Sequence, residues 1–331
     1  MTRSLTFTYA TLTAALVFSA VLCLAVGAVR IPVAVIINTL FDLDGQQQDF
    51  IINASRLPRM LLSLMTGAAL AVSGVIIQAL LRNPLASPKI IGINSGAALA
   101  VLIAAIFAPD LALSWTPLIA VLGGIASVSL VYAMAEFRPI SPARLALIGI
   151  AVGFTCDAGV DFILVTADTY DISAPMVWMT GSLWGRGWQH VAVVWPLLTG
   201  LVCVAVFLSF RLDLIRLGTA QAASLGMNVR IERAGLLLLA TLLAAISVSM
   251  VGVLGFVGLM SPHIARALVG GTNKRLLPAA MLIGATLVMF ADALGRSILP
   301  PIEVSAGVIT ALLGAPFFIY LLVTRRTDGD E

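Results

Sequence analysis

Arg56-Leu57-Pro58-Arg59 sets two guanidinium groups around a proline at the start of the apolar run Met60 to Leu81. Charge at the end of an apolar span is costly to bury and marks contact with water, headgroups or a protein. Other ionisable residues lie inside apolar segments. Asp157 and Asp161 are four apart, so they share a helix face and could relay protons or line a water-filled path. Asp292 precedes Arg296 by four, a spacing that allows a local ion pair. His263 follows Pro262 and could titrate, ligate, or hydrogen-bond inside a broken helix. Gly92-Ile93-Asn94-Ser95-Gly96 approaches a serine-nucleophile turn, with His190 and His263 the only histidines to serve it. His190 is expected at the opposite end of the bundle from Ser95. Asn94 and Ser95 are therefore read as capping and packing residues.

Several chemistries are missing. No Gly-x-x-x-x-Gly-Lys-Ser/Thr run occurs, so the chain cannot energise transport with ATP by itself. The zinc signature His-Glu-x-x-His is also absent. Cys23, Cys156 and Cys203 stand alone and read as small buried hydrophobes, which leaves no metal ligand set. The expected chain is a non-enzyme with no cofactor of its own.

The elements that must hold these residues are membrane spans. Of 331 residues, 60% are hydrophobic and 11% charged, with mean hydropathy +1.07. Soluble domains carry about 25% charged residues. The fold class is all-α and polytopic, a single transmembrane domain over residues 1–331. Ten apolar segments are predicted, roughly Phe7–Val29, Pro58–Leu81, Ile90–Phe107, Trp115–Phe137, Leu145–Thr166, Val191–Phe210, Ala234–Val253, Gly255–Val269, Leu276–Leu294 and Ala306–Val323. The eighth is short, holds Pro262, and could instead be a broken or re-entrant helix. The apolar stretch after Arg3 is longer than a signal-peptide core and reads as a retained first span.

With the N-terminus inside, only Arg30, Arg56, Arg59, Arg186 and Arg296 fall outside, leaving 14 of 19 basic residues on the cytoplasmic side. That bias predicts both termini in the cytoplasm and an even number of spans. It also accounts for a pI near 9.0 without nucleic acid. The outer loop from Ala167 to Gln189 carries Trp178, Trp184 and Trp188, which suit an interfacial belt. The inner loop 211–233 is expected to hold a short helix, Thr219 to Leu225, stopped by Gly226. Gly67-Ala68-Ala69-Leu70 is faintly echoed by Gly284-Ala285-Thr286-Leu287 on a span of opposite direction, as an inverted repeat or chance would give.

The motifs also occur together in one known family. Arg56-Leu57-Pro58-Arg59, Gly67-Ala68-Ala69-Leu70-Ala71, Gln78-Ala79-Leu80 and Arg82-Asn83-Pro84-Leu85-Ala86-Ser87-Pro88 come first. Trp178-Met179-Thr180-Gly181-Ser182-Leu183-Trp184-Gly185, Leu217-Gly218 through Leu225-Gly226 and Gly255-Phe256-Val257-Gly258-Leu259 with Pro262-His263 follow in order. Leu276-Leu277-Pro278, Ala291-Asp292 with Arg296, and Gly314-Ala315-Pro316-Phe317 complete the set. Over essentially its whole length the chain resembles the iron-siderophore and vitamin B12 permeases of type II ABC importers.

The resemblance implies ten helices per subunit in the bacterial inner membrane, paired as a homodimer or heterodimer with a second permease. Two cytoplasmic ABC ATPases would bring ATP and Mg, and a periplasmic or lipid-anchored siderophore-binding protein would dock outside. Arg56, Arg59 and Arg296 match the positions that receive that protein's acidic residues. Leu217, Gly218, Ala222, Leu225 and Gly226 match the coupling segment that meets the ATPase. Asn83, Pro84, Leu85, Ser141 and Pro142 match the cytoplasmic constriction. Asp157 and Asp161 would line the pathway, although Asp157 matches no family position. Thr180 through Arg186 resembles the ferric siderophore branch more than the cobalamin branch. A cobalamin or haem importer is the alternative within the family. A proton-coupled secondary transporter using Asp157, Asp161 and Asp292 is the alternative outside it.

Overall fold

The computed structural model describes residues 5–41, 50–108, 110–111, 115–136, 142–166 and 176–324. The helices run α1 (Leu5–Ala25), α2 (Val33–Leu40), a π-helical turn (Ile51–Arg56), α3 (Leu57–Leu81), a 3-10 turn (Pro88–Ile91), α4 (Ile93–Phe107), α5 (Thr116–Glu136) and α6 (Pro142–Thr166). They continue with α7 (Trp188–Phe207), α8 (Ser209–Leu217), α9 (Thr219–Ser224), α10 (Val229–Val251), α11 (Val257–Val269), α12 (Asn273–Ile298) and α13 (Ala306–Thr324). Among the described residues, each of the ten expected apolar segments is a helix. Seven helical stretches are long and apolar enough to cross a membrane, and the apolar helices Ile93–Phe107 and Ala306–Leu321 are shorter. α11 has 13 residues. At about 1.5 Å per residue it falls short of a hydrocarbon core about 30 Å thick, yet it continues through Pro262 as one helix.

α3 forms the centre. A helix apolar all round belongs in a core, and the apolar window of α3 is 83% buried against 22% for α1 and α6. It lies against α10, α11 and above all α12. Glycine sets that closeness: a Cβ on Gly67 would collide with the Gly284 carbonyl, and one on Gly74 with that of Gly258. The two echoing segments are thus the crossing point of α3 and α12, where small residues let backbones touch. α6 and α13 are peripheral and turn Phe154, Phe162, Leu312 and Ile319 outward.

Two stretches expected as loops contain helix. Residues 30–55 hold α2 and the π-helical turn that runs straight into α3. α2 spans 8 residues, too few for a periodic signal, and π-helices have no sequence signature. In the segment 211–233, α8 occupies its start, α9 its middle and the first turn of α10 its end. α9 ends one residue earlier than expected, and Gly226 adopts φ +82° as a stop residue does.

Candidate functional site

At the end of the core that the charge bias of the sequence assigns to the outer side, three helices meet through charge. Arg59 follows Pro58 in the first turn of α3. Arg59 Nη2 lies 2.7 Å and Nε 2.8 Å from Asp292 Oδ1, and its Nη1 lies 2.8 Å from Glu303 Oε2. Arg296 Nε donates to Asp292 Oδ2 at 3.1 Å, the pair that the four-residue spacing allowed. Arg296 Nη2 also donates to the Cys23 carbonyl at 2.8 Å, which fastens α1 to α12. Arg56 donates to the carbonyls of Leu24 and Val29. The exposures are 8% for Arg59, 4% for Arg56, 6% for Arg296 and 1% for Asp292.

The electrostatics explain why Asp292 is central. The negative end of the helix dipole favours Arg296 at the close of α12, whereas Arg59, about two turns into the continuous helix that begins at Ile51, has no helix terminus to help it. Asp292 compensates both guanidiniums. Removing one partner from a buried ion network costs about 3–5 kcal/mol, because the others stay buried and uncompensated. Both Asp292 oxygens are engaged by arginine, so this residue is an ion-pair anchor. The secondary-transporter alternative used Asp292 as one of its three acids, and here that acid is held in ion pairs. Cys23 differs from its expected role as a plain hydrophobe, since its Sγ lies 3.1 Å from Arg296 Nη2. Sequence reasoning also overlooked Glu303, which no spacing or motif tied to Arg59.

At the opposite end Arg211 pairs with Glu232, but Arg82, Arg216, Arg233 and Arg266 meet neutral acceptors. Arg82 closes α3 at φ +47°, a left-handed conformation unusual outside glycine. Its Nη2 lies 3.4 Å from Thr219 Oγ1, which also accepts from Arg233 Nη2 at 2.9 Å. Arg216 Nη1 donates to the Gly271 carbonyl at 2.9 Å, and Arg266 Nη2 to Gln78 Oε1 at 3.1 Å. Of these, Arg82 and Arg233 hold the first residue of α9. Ala222 is fully buried, whereas Leu217 and Leu225 project outward. Gly218, at φ +123°, makes the corner between α8 and α9. The five expected coupling residues therefore build one small projection. Asp213 accepts from Asn273 N at 3.0 Å and from Asn273 Nδ2 at 2.8 Å, tying the base of that projection to α12.

The expected constriction residues divide. Asn83 Oδ1 accepts from Leu85 N at 2.9 Å, which shapes the turn after α3, with Pro84 half-buried. Pro142 opens α6, and Ser141 lies outside the described residues. Asp157 is half-buried and lines a cleft of about 390 Å³ with Lys89, Ser95, Phe256 and Phe318; Asp161 is exposed one turn further on. His263 packs edge-on against Phe317, ring centres 5.8 Å apart. Outside the spans, burial holds the Arg186 guanidinium below its ordinary pKa; its Nη1 lies 2.9 Å from His190 Nε2. Among the described residues, no group of three His, Cys, Asp or Glu could hold a metal ion.

Known proteins share this architecture. The chain is 41% identical over 307 residues to the Fe(3+)-citrate import system permease YfmE of Bacillus subtilis, covering 93% of this chain and 92% of that protein. It is 40% identical over 315 residues to the Fe(3+) dicitrate transport system permease FecD of Escherichia coli, covering 95% and 98%. A solved inward-facing conformation of a metal-chelate type ABC transporter superposes with a TM-score of 0.84 at 32% identity, covering 97% of this chain and 99% of the other. Residues 15–324 match the family model of the FecCD transport family, and the chain is a multi-pass membrane protein belonging to that family.

Proposed function

We propose that this chain is the membrane-spanning subunit of an ATP-driven importer of a ferric chelate, either ferric citrate or another ferric siderophore. One observation carries the reading: identity of 40–41% runs nearly end to end with two ferric citrate permeases. The geometry supports it, because α9 presents an exposed apolar tip on a short braced projection, a shape suited to another protein's groove. In this reading residues 211–233 form the coupling loop, and Leu217, Gly218, Ala222, Leu225 and Gly226 meet one of two cytoplasmic ATPases. ATP and Mg belong to those subunits. A second permease subunit completes the pathway against the outward faces of α6 and α13. Asp157 and Asp161 line it, and Asn83, Pro84, Leu85, Ser141 and Pro142 narrow its cytoplasmic end.

A binding protein delivers the chelate at the outer face, where Arg56, Arg59 and Arg296 form the docking set. Of the three, Arg59 reaches the surface through Glu303, whose side chain is 34% exposed. A partner carboxylate engages there by taking the place of Glu303 on Arg59 Nη1, while the Asp292 pairs stay closed and hold the helices together. A haem importer is the second reading, favoured by 37% identity over 275 residues to the hemin permease HmuU of Yersinia pestis.

The test is uptake in cells lacking this gene, with radiolabelled ferric citrate, a panel of ferric siderophores, cobalamin and haem. Loss of one ferric chelate, restored by the wild-type gene, is the expected result. Loss confined to haem or cobalamin would reassign the substrate. ATP depletion should stop uptake, whereas collapse of the proton gradient alone should not. Leu225→Asp should accumulate normally and fail to transport.

A further inference from the structure

We infer that the groove between α5 and α10 holds one anionic glycerophospholipid, with an acyl chain along the groove and the phosphate on the Arg233 guanidinium. The groove encloses about 290 Å³. Ser129 and Ala133 of α5 and Ala234 of α10 are small and exposed and keep it open, while Val128 and Leu238 form its floor and wall. Thr241 also lines it, but its hydroxyl donates to the Leu237 carbonyl at 2.8 Å and so turns its polar hydrogen away from an acyl chain. An open apolar channel on the surface of a membrane protein is filled by lipid.

Charge fixes the class of lipid. Arg233 adjoins Ala234 at one end of the groove, and Tyr132 of the lining is its electrostatic neighbour. The Arg233 Nε is buried without a hydrogen-bond partner, while its Nη2 is held by Thr219. Arg82 is the other electrostatic neighbour, and like charge there calls for an anion. The adjacent acid, Glu232, is taken by Arg211. A phosphate diester meets this need, because a guanidinium presents several donors to phosphate oxygens. Clustered basic residues at a span's end also favour anionic over zwitterionic headgroups. Arg233 also holds Thr219, the first residue of α9. Where the coupling reading stands, the lipid braces the coupling projection; the lipid site itself does not depend on that reading.

The experiment is native mass spectrometry of the full chain in mild detergent, titrated with phosphatidylglycerol, phosphatidylcholine or inorganic phosphate. One phosphatidylglycerol should be retained in preference to phosphatidylcholine. Arg233→Gln should weaken retention about five- to tenfold, the scale of one basic residue at a lipid surface. Ala133→Trp, a change on the exposed face, should weaken it by filling the groove. Arg230→Gln, on the same helix, should leave it unchanged. Retention as strong as wild type in both the Arg233→Gln and Ala133→Trp variants would overturn the site. So would equal binding of phosphatidylcholine, binding of inorganic phosphate with the same affinity, or loss of self-association with Ala133→Trp at constant lipid count.

Discussion

α3 carries arginine at both ends, and the two ends use it differently. At Arg59 the guanidinium is sunk among Asp292, Glu303 and the end of α12, with a carboxylate on two sides. At Arg82 the guanidinium is exposed, its hydrogen-bond partner is a threonine hydroxyl, and Arg233 competes for the same oxygen. The first end satisfies its charge internally and so fastens helices together. The second keeps donors for something outside the chain. The counter-charge, not the residue type, sets how readily each end can open to a partner: at the first only the partly exposed Glu303 contact can give way.

The comparison breaks most sharply at Asp292. Asp292→Ala should cost about 3–5 kcal/mol, because Arg296 would remain buried without a carboxylate and Arg59 would keep only the partly exposed Glu303. Thermal unfolding in detergent measures this, and a variant as stable as wild type would show that the outer end is not an anchor. Next comes the crossing that the anchor secures. Gly67→Ala should cost about 1–3 kcal/mol by the same readout, since α3 and α12 must part to admit a methyl group. Glu303→Gln should cost less than about 1 kcal/mol, because that pair is partly in water. A larger loss would place Glu303 inside the buried network. The smallest effect sharpens the other end. Arg82→Gly should leave stability unchanged or raise it by up to about 1 kcal/mol, because glycine accepts the left-handed backbone freely. If uptake falls while stability holds, the strained arginine is there for contact and not for folding.

What was readable in the sequence follows from the range of each interaction. The apolar segments, the Asp292–Arg296 pair and the short helix stopped by Gly226 are local, so composition and spacing suffice. The Gly67 and Gly284 echo could be seen but not interpreted until the two segments were found touching. Arg59 with Asp292 is a pairing across 233 positions, and it depends on which helices meet. The same is true of Cys23 beside Arg296. Exposed arginines are the ordinary expectation at the end of a span, so the burial of Arg56, Arg59 and Arg296 could not be read from their neighbours. α2 and the π-helical turn escaped because they are too short to show a period.

The glycine contacts pin α3 at two places, Gly67 on Gly284 of α12 and Gly74 on Gly258 of α11. The two glycines are about 10 Å apart along the helix, at about 1.5 Å per residue. Backbone pressed on backbone leaves little freedom to slide, and two such contacts leave no single point about which α3 can turn. A push at either end of α3 is therefore passed to α11 and α12, and the three helices are coupled as one body.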